Sequence, residues 1–339
     1  MFNKFIRQLK TLYSSQPATR KLVKKISGSA VYFCLTKKRI ESKIRKSQPF
    51  NLVIETSNFC NARCLMCPHP RMKRLKGIMS DSVFEKIIER VRAEKLPINK
   101  VFFSGLGEPL SDPQIIARIK AFKELGVTVK LYTNASLLTE KISRQLVELA
   151  VDEVNISFNG ANPEQYREIM GLNFSLTKGN IDRLLEIKKE KQSSWPKTQI
   201  SLILLKENEK DINQHLKNWQ EKVDSVTVSL AHEWGGGVKL NEKLKMKNEK
   251  LTYPCRSLWH TFNILNNGDF TICCRDFEGK HILGNVLTHS FAEIIQTPIL
   301  KTFREAHLKF SESVLPAICR QCNFPYQDGI EWYVPRSLD

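Results

Sequence analysis

The chain has 339 residues, of which 41% are hydrophobic and 26% are charged, and its formal net charge is +18. This ordinary globular composition suits one large domain with a smaller one, or two medium domains. No run approaches the about 20 apolar residues that cross a bilayer, and the N-terminus lacks the apolar core of a signal peptide, so we expect a cytoplasmic protein. In a reducing compartment nine cysteines, an odd number, indicate metal ligands or reactive thiols rather than disulfides.

Residues 1–48 form a basic arm with thirteen Lys or Arg against one acid, Glu41, and so carry two thirds of the net charge. Its first apolar residues recur at helical spacing, with basic residues between them: Phe2, Phe5, Ile6, Leu9, Leu12 and Tyr13. Such a helix either docks on the body of the protein or lies on the anionic inner face of a membrane, and both alternatives stay open. No RNA-reading signature is present, so we expect no specific nucleic-acid partner.

Residues 49–231 alternate short β-rich runs with longer amphipathic helical runs. The β-rich runs are NLVIET, KVFFSG, VTVKLYT, EVNISFN, QISLILL and SVTVSL. Six β–α repeats predict an α/β fold, a partial (β/α)6 barrel of the TIM type, with its chemistry at the C-terminal strand ends. Because each run is nearly all apolar, we expect both faces of every strand to be covered.

The pattern changes after residue 231. Residues 232–254 are rich in Gly and Lys and predict a linker. Residues 255–339 contain a hairpin signal at Asn267-Gly268, the helical stretch SFAEIIQTPILKTFREAHLKF and the pair CRQC. This is too little apolar material for an independent core, so we expect a small C-terminal domain that is held together by a metal centre.

Cys60, Cys64 and Cys67 lie within eight residues, on the loop after the first predicted strand. Three thiolates on one loop can ligate three corners of a cubane iron–sulfur cluster and leave the fourth iron open to a ligand. A structural zinc ion, the alternative, is normally closed by four ligands. The trio therefore favours a catalytic cluster at the active end of the barrel.

The stretch CNARCLMC resembles the cluster-binding loop of radical SAM enzymes. The resemblance implies a 4Fe–4S cluster on Cys60, Cys64 and Cys67, with S-adenosylmethionine (SAM) on the fourth iron. It also implies that reductive cleavage of SAM gives a 5′-deoxyadenosyl radical, which abstracts a hydrogen atom from the substrate. A flavodoxin- or ferredoxin-type donor would supply the electron.

The same resemblance assigns further residues to the binding of SAM. Gly107 and Glu108 match the Gly-Gly-Glu motif that meets the methionine amino group, although Leu106 replaces one glycine of that motif. Met66, before the last cysteine of the trio, is expected beside the adenine. Polar residues after the third and fourth strands are expected to bind the ribose or the carboxylate: Asn134, Asn155 and Ser157.

The late cysteines resemble the twitch/SPASM extension of one branch of the same enzymes. A full SPASM module uses about seven cysteines for two clusters, whereas this region offers five, so the resemblance implies one auxiliary 4Fe–4S cluster. The implied ligands are Cys255, Cys273, Cys319 and Cys322. Cys274 is the spare thiol, the choice between it and Cys273 stays open, and structural zinc is again the alternative. Cys34, alone in the arm, has no assigned role.

Acidic residues follow the paired cysteines in CCRDFEGK. Asp276 is the candidate catalytic base that takes the proton released when a substrate radical is oxidised. The alternative is a surface hairpin whose charges, Arg275 and Glu278 among them, are only solvated. His232, Glu233 and His260 are further candidates that no feature distinguishes.

The function expected from these motifs is that of a radical SAM oxidoreductase. One auxiliary cluster without a recognisable peptide-binding domain favours dehydrogenation of a small hydroxylated metabolite, such as a sugar or an aminocyclitol. The first alternative is a maturase that modifies a peptide or protein. The second is a non-enzymatic iron–sulfur or zinc protein, which would not cleave SAM.

Overall fold

The computed structural model describes residues 50–231, 233–238, 254–309 and 312–322. The basic arm, with its predicted helix and Cys34, lies outside these ranges, as do His232, most of the expected linker and everything after residue 322. None of the helices that are described is both long and apolar enough to span a membrane.

Nine strands form in the described ranges. They are β1 (Phe50–Ile54), β2 (Ile98–Phe103), β3 (Thr128–Thr133), β4 (Glu153–Ser157), β5 (Lys197–Leu204), β6 (Ser225–Leu230), β7 (Thr261–Ile264), β8 (Asp269–Thr271) and β9 (Ile282–Asn285). The α-helices are α1 (Asp81–Ala93), α2 (Ile115–Glu124), α3 (Glu140–Glu148), α4 (Pro163–Met170), α5 (Phe174–Glu190), α6 (Ile212–Gln220), α7 (Ser257–His260), α8 (Phe291–Ile295), α9 (Pro298–Leu308) and α10 (Ala317–Arg320).

All nine strands belong to one sheet, in the order β6-β5-β4-β3-β2-β1-β7-β8-β9. Strands β1 to β6 are parallel neighbours with helices between them, which confirms the predicted α/β partial barrel. The fully buried side chains of these strands pack against the apolar sides of the helices. They include Leu52, Val101, Leu131 and Ile156. Side-chain caps at Ser80 and Thr139 start α1 and α3.

The other face of the sheet, which we call the inner face, is polar on β4 to β6. The Asn155 carboxamide donates to Gln199 and accepts a hydrogen bond from the Ser201 hydroxyl, and Gln199 in turn donates to Thr227. The expectation that both faces of every strand are apolar and covered is therefore wrong here. Along these strands the polar residues alternate with buried apolar ones such as Ile200. The sequence of each strand is therefore more apolar on average than its inner face alone.

The C-terminal region extends the same sheet. β7 pairs in parallel with β1, and β8 and β9 follow as antiparallel strands. The predicted hairpin forms with Gly268 at its turn in the left-handed region, at φ 87°. Strand β9 was not predicted, and the predicted helical stretch is two helices separated just before Pro298. Within the expected linker, residues 233–238 pack against both cysteine regions, since Trp234 donates to the Met66 carbonyl and Gly235 lies against Ile318.

Candidate active site

The loop after β1 carries the cysteine trio and is held by hydrogen bonds at Asn58, Arg63 and Leu65. The Asn58 carboxamide fixes the segment that follows the cysteines, because it accepts from the Gly77 amide at 2.7 Å and donates to the Leu75 carbonyl at 2.9 Å. The Arg63 and Leu65 amides donate to the last turn of α4 at 2.9 and 3.0 Å. The thiols are thus presented by a fixed backbone at the C-terminal end of the first strand.

The three thiols of this loop are partly buried. Cys64 Sγ lies 3.6 Å from Met170 Sδ. Burial raises the pKa of Cys60 to about 11 and also raises the pKa of Cys64 and of Cys67. Without metal these groups are therefore neutral thiols, and binding of iron must release their protons. Three sulfurs with little other bonding fit a cluster that takes three protein ligands.

Glu108 lies at the end of β2, and its carboxylate is 2% exposed. One oxygen accepts from the Thr133 hydroxyl at 2.6 Å and the Leu110 amide at 3.0 Å, and the other accepts from the Asn134 amide at 2.7 Å. A carboxylate has about four acceptor positions, so one remains for an ammonium group such as that of SAM. Burial raises the pKa of Glu108, which a bound cation would oppose.

Gly107 is the point where the loops after β1 and β2 touch. A Cβ atom at this position would lie 2.0 Å from the Ser57 carbonyl oxygen. The Glu108 amide next to it donates to the Phe59 carbonyl at 2.7 Å. The glycine therefore serves close contact between the two loops, which the motif alone did not predict.

The other residues expected to bind SAM fall into two groups. The side chain of Asn134 reaches the cysteine loop, where its Nδ2 lies 3.0 Å from Asn61 Oδ1 and 4.0 Å from Cys60 Sγ. Met66 is buried, and its carbonyl accepts a hydrogen bond from the Trp234 indole at 3.1 Å. Asn155 and Ser157 lie instead on the inner face of β4, where Asn155 is engaged by β5. Their contact with SAM stays a prediction.

Five late cysteines line one cavity of about 550 Å³ at the end of the β7–β8 hairpin: Cys255, Cys273, Cys274, Cys319 and Cys322. Cys274 is exposed, whereas the other four are partly buried. Burial raises the pKa of Cys255 to about 12 and also raises the pKa of Cys273 and Cys319. The donor set fits an auxiliary cluster on the four less exposed thiols, with Cys274 as the spare.

A histidine that the sequence did not single out lines the same cavity. His307, on α9, is 0% exposed, and its Nδ1 accepts a hydrogen bond from the Cys255 amide at 3.3 Å. Its Nε2 has no hydrogen-bond partner in the described part of the chain. Nothing local distinguishes this residue, because it follows the apolar pattern of an ordinary helix.

Asp276, the candidate base, is buried in the loop after β8. One oxygen accepts from the Lys280 amide at 3.0 Å, and the other accepts from the Thr271 hydroxyl at 2.6 Å and the His281 amide at 2.8 Å. These bonds close its own loop. These hydrogen bonds give Asp276 a structural role, and its catalytic role stays a prediction.

A second cavity, of about 330 Å³, lies on the inner face between the two cysteine regions. We call it the central cavity. Its polar lining consists of Glu55, Arg74, Ser104, Asn263, Thr271, Cys273, Cys274 and the candidate base Asp276. Arg74 forms a two-pronged ion pair with Glu55 at 2.9 Å and also donates to the Phe277 carbonyl, so it ties the cysteine loop to the hairpin that carries Cys273. No local sequence pattern predicted this pair.

Comparison with known families decides what these two cysteine regions are. Residues 54–218 match the model of the radical SAM superfamily, and residues 255–323 match that of an iron–sulfur cluster-binding domain, SPASM. The chain belongs to the radical SAM superfamily. It is a radical SAM enzyme with a SPASM-type C-terminal region, and its cofactors are a SAM-binding 4Fe–4S cluster, an auxiliary cluster and SAM.

One relative in sequence is the tungsten-containing aldehyde ferredoxin oxidoreductase cofactor-modifying protein of Pyrococcus furiosus. It is 30% identical over 183 residues, which are 52% of this chain and 50% of the relative. The chain thus spans about half the length of the curated relatives it matches.

Two solved structures share the fold of this radical SAM enzyme. BtrN in complex with AdoMet and 2-DOIA is 18% identical with a TM-score of 0.58, and the match covers 82% of this chain and 94% of BtrN. Streptococcus suis SuiB bound to precursor peptide SuiA is 16% identical with a TM-score of 0.63, and the match covers 91% of this chain and 74% of SuiB.

Proposed function

We propose that this radical SAM enzyme is an oxidoreductase that dehydrogenates a small hydroxylated metabolite, such as a sugar or an aminocyclitol. The observation that carries the proposal is the central cavity. Its lining brings polar side chains of the barrel strands, such as Ser104, next to Asn263 and Thr271 of the C-terminal strands, and small-molecule sites place a few polar groups around one ligand in this way. Arg74, from the loop that carries the first cysteine trio, and Cys273 and Cys274 of the second cysteine region both belong to this lining.

The lining of the central cavity favours a neutral polar ligand. Arg74 is paired with Glu55, so it offers no free positive charge to a phosphate or a carboxylate, and Asp276, the other carboxylate of the lining, is bonded within its own loop. Asn263 is 3% exposed, and neither its nitrogen nor its oxygen has a partner in the described part of the chain. A buried carboxamide left unpaired costs about 1–3 kcal/mol. A ligand with hydroxyl groups, which both donate and accept, would remove that cost.

In the proposed reaction the bound cofactors supply the radical that takes the carbinol hydrogen atom and the acceptor for the second electron. The substrate loses one C–H hydrogen atom, one electron and one proton, its O–H bond breaks, and a carbonyl group forms. The chain itself must bind the hydroxyl groups, exclude water and receive the proton. Two carboxylates line the central cavity, and both are already engaged: Glu55 by Arg74 and the Leu106 amide, and Asp276 by bonds within its own loop. Asp276, the candidate base from the sequence, and Glu55 are therefore the two alternative acceptors of the proton.

The first test is anaerobic turnover of the reconstituted enzyme with SAM and dithionite. Myo-inositol, glucosamine and 2-deoxystreptamine serve as probes, and 5′-deoxyadenosine and new carbonyl groups are measured. We expect at least one probe to increase 5′-deoxyadenosine formation and to be oxidised. If none of them does while a peptide probe does, the small-molecule proposal is wrong.

The second test compares two asparagines that are both about 3% exposed. Asn263→Leu should raise KM for the stimulating probe at least tenfold without lowering the melting temperature, because the Asn263 side chain makes no hydrogen bond within the described part of the chain. Asn208→Leu should lower the melting temperature, because Asn208 bonds the Leu205 amide and the Ile203 carbonyl, both at 2.8 Å. If Asn263→Leu destabilises as strongly as this control, Asn263 has a structural role.

Modification of a peptide is the second candidate function. SuiB, a structural neighbour, was solved with its precursor peptide, and the match covers 91% of this chain. The same match leaves a quarter of SuiB without a counterpart, whereas it extends over 94% of BtrN, which was solved with AdoMet and 2-DOIA. The first test above, which compares a peptide probe with the small molecules, distinguishes the two candidate functions.

We also propose that a flavodoxin- or ferredoxin-type protein delivers the electron at the cysteine loop. Residues 56–80 contain five basic residues and no acidic one. Lys73 and Lys76 are exposed on either side of Leu75, which is 93% exposed. A cationic surface with an apolar centre is complementary to an acidic donor protein. Contact of the basic arm with a membrane, and the cytoplasmic location, likewise remain proposals.

A further inference from the structure

His307 is completely buried and lines the cavity of the late cysteines, and its Nε2 has no hydrogen-bond partner in the described part of the chain. The Cys255 backbone N–H can only donate, so Nδ1 of His307 must accept and carries no hydrogen. The neutral ring then carries its hydrogen on Nε2. This N–H group is buried without a partner in the described ranges, although buried donors in folded proteins are almost always paired.

The surroundings of His307 indicate what the missing partner is. The ring lines the cavity of about 550 Å³ together with Cys255, Cys273 and Cys319, and the amide it binds belongs to one of the implied ligands. A cluster held in this cavity would bring sulfur acceptors to the lining to which the ring belongs. Sulfur of a reduced cluster carries negative charge and accepts hydrogen bonds.

We propose that His307 donates an Nε2–H···S hydrogen bond to the auxiliary cluster and thereby raises its reduction potential. The bond is stronger in the reduced state, because that state carries one more negative charge. His307 acts as a positioning residue, since it also fixes the Cys255 amide. The inference rests on the auxiliary cluster being bound and not on the identity of the substrate.

Two substitutions separate the two nitrogens of the ring. His307→Asn places an amide oxygen near the position of Nδ1, so it can keep the bond to Cys255 but removes the donor at Nε2. His307→Gln places an amide N–H near the position of Nε2 and gives up the bond to Cys255. The control is His215→Asn, because His215 is also buried with an unpartnered Nε2 but lies on α6, against Phe158.

The measurement is a redox titration of the reconstituted enzyme followed by electron paramagnetic resonance, with the auxiliary signal assigned in a Cys64→Ala background. His307→Asn should lower the equilibrium constant for reduction about tenfold, which is about 59 mV for one electron. His307→Gln should restore most of that shift, and His215→Asn should cause none. An unchanged potential in His307→Asn, or equal shifts in both His307 variants, would overturn the proposal.

A second readout needs no substitution at His307. In wild-type enzyme labelled with ¹⁵N-histidine, the reduced auxiliary cluster should show hyperfine coupling to one nitrogen and to one exchangeable proton. Absence of both couplings, or zinc instead of iron at the late cysteines, overturns the assignment. Neither measurement requires turnover, so a failure to oxidise a polyol would defeat the proposed function and leave this inference standing.

Discussion

Cys64 is the middle ligand of the first loop, and its sulfur lies against Met170 on α4. Replacing Cys64 with Ala leaves two of three ligands for the SAM-binding cluster. We expect about four of about eight irons to be lost, together with all cleavage of SAM, while the auxiliary cluster remains. Cys274→Ala, which removes the exposed spare thiol, should keep both clusters. Formation of 5′-deoxyadenosine by Cys64→Ala would show that the trio is not the SAM-binding site.

Cys319 is one of the four implied ligands of the auxiliary cluster. In Cys319→Ala the iron content should also fall by about four atoms, but SAM should still be cleaved, without coupling to substrate oxidation. Metal analysis and the ratio of 5′-deoxyadenosine to oxidised product measure the two effects. A loss of zinc with unchanged iron would assign the late cysteines to a structural zinc ion.

At the scale of elements, the contact between the loops after β1 and β2 depends on Gly107. A Cβ atom at this position would meet the backbone of Ser57, which cannot move aside as a flexible side chain can. Gly107→Ala should therefore lower SAM affinity and cluster content. Gly179→Ala on α5 is the control, because a Cβ atom there has no neighbour within 4 Å and should stabilise the helix by about 0.5–1 kcal/mol. Equal behaviour of the two variants would contradict this account.

How far the sequence predicts these elements depends on whether the signal is local. Strands β1 to β6 and the hairpin turn at Gly268 follow from periodicity and turn chemistry, which neighbouring residues encode. The pairing of β7 with β1 joins residues about 210 positions apart, and no local pattern predicts it. For the same reason the cysteine motifs revealed both metal regions, whereas Glu55 with Arg74, Asn263 and His307 could be recognised only once the fold brought their partners together.

At the scale of the whole molecule, the positive charge of the cysteine loop predicts how electrons enter. Lys73→Glu with Lys76→Glu should reduce 5′-deoxyadenosine formation driven by reduced flavodoxin at least tenfold at low salt. The rate with dithionite should stay unchanged, because that small reductant does not need a docking surface. The matched control is Lys189→Glu with Lys217→Glu, the same charge change on α5 and α6. Equal loss with both reductants would indicate damage to the cluster.

The unbroken sheet also limits how such an enzyme can acquire new substrates. Asn263 faces the central cavity because it pairs with Val53, and its neighbours Phe262 and Ile264 belong to the core on the opposite face. A shift of β7 by one residue would turn an apolar side chain into the cavity and bury Asn263 in the core. Specificity can therefore diversify by single substitutions on the inner face, whereas insertions and deletions are confined to the loops between paired strands.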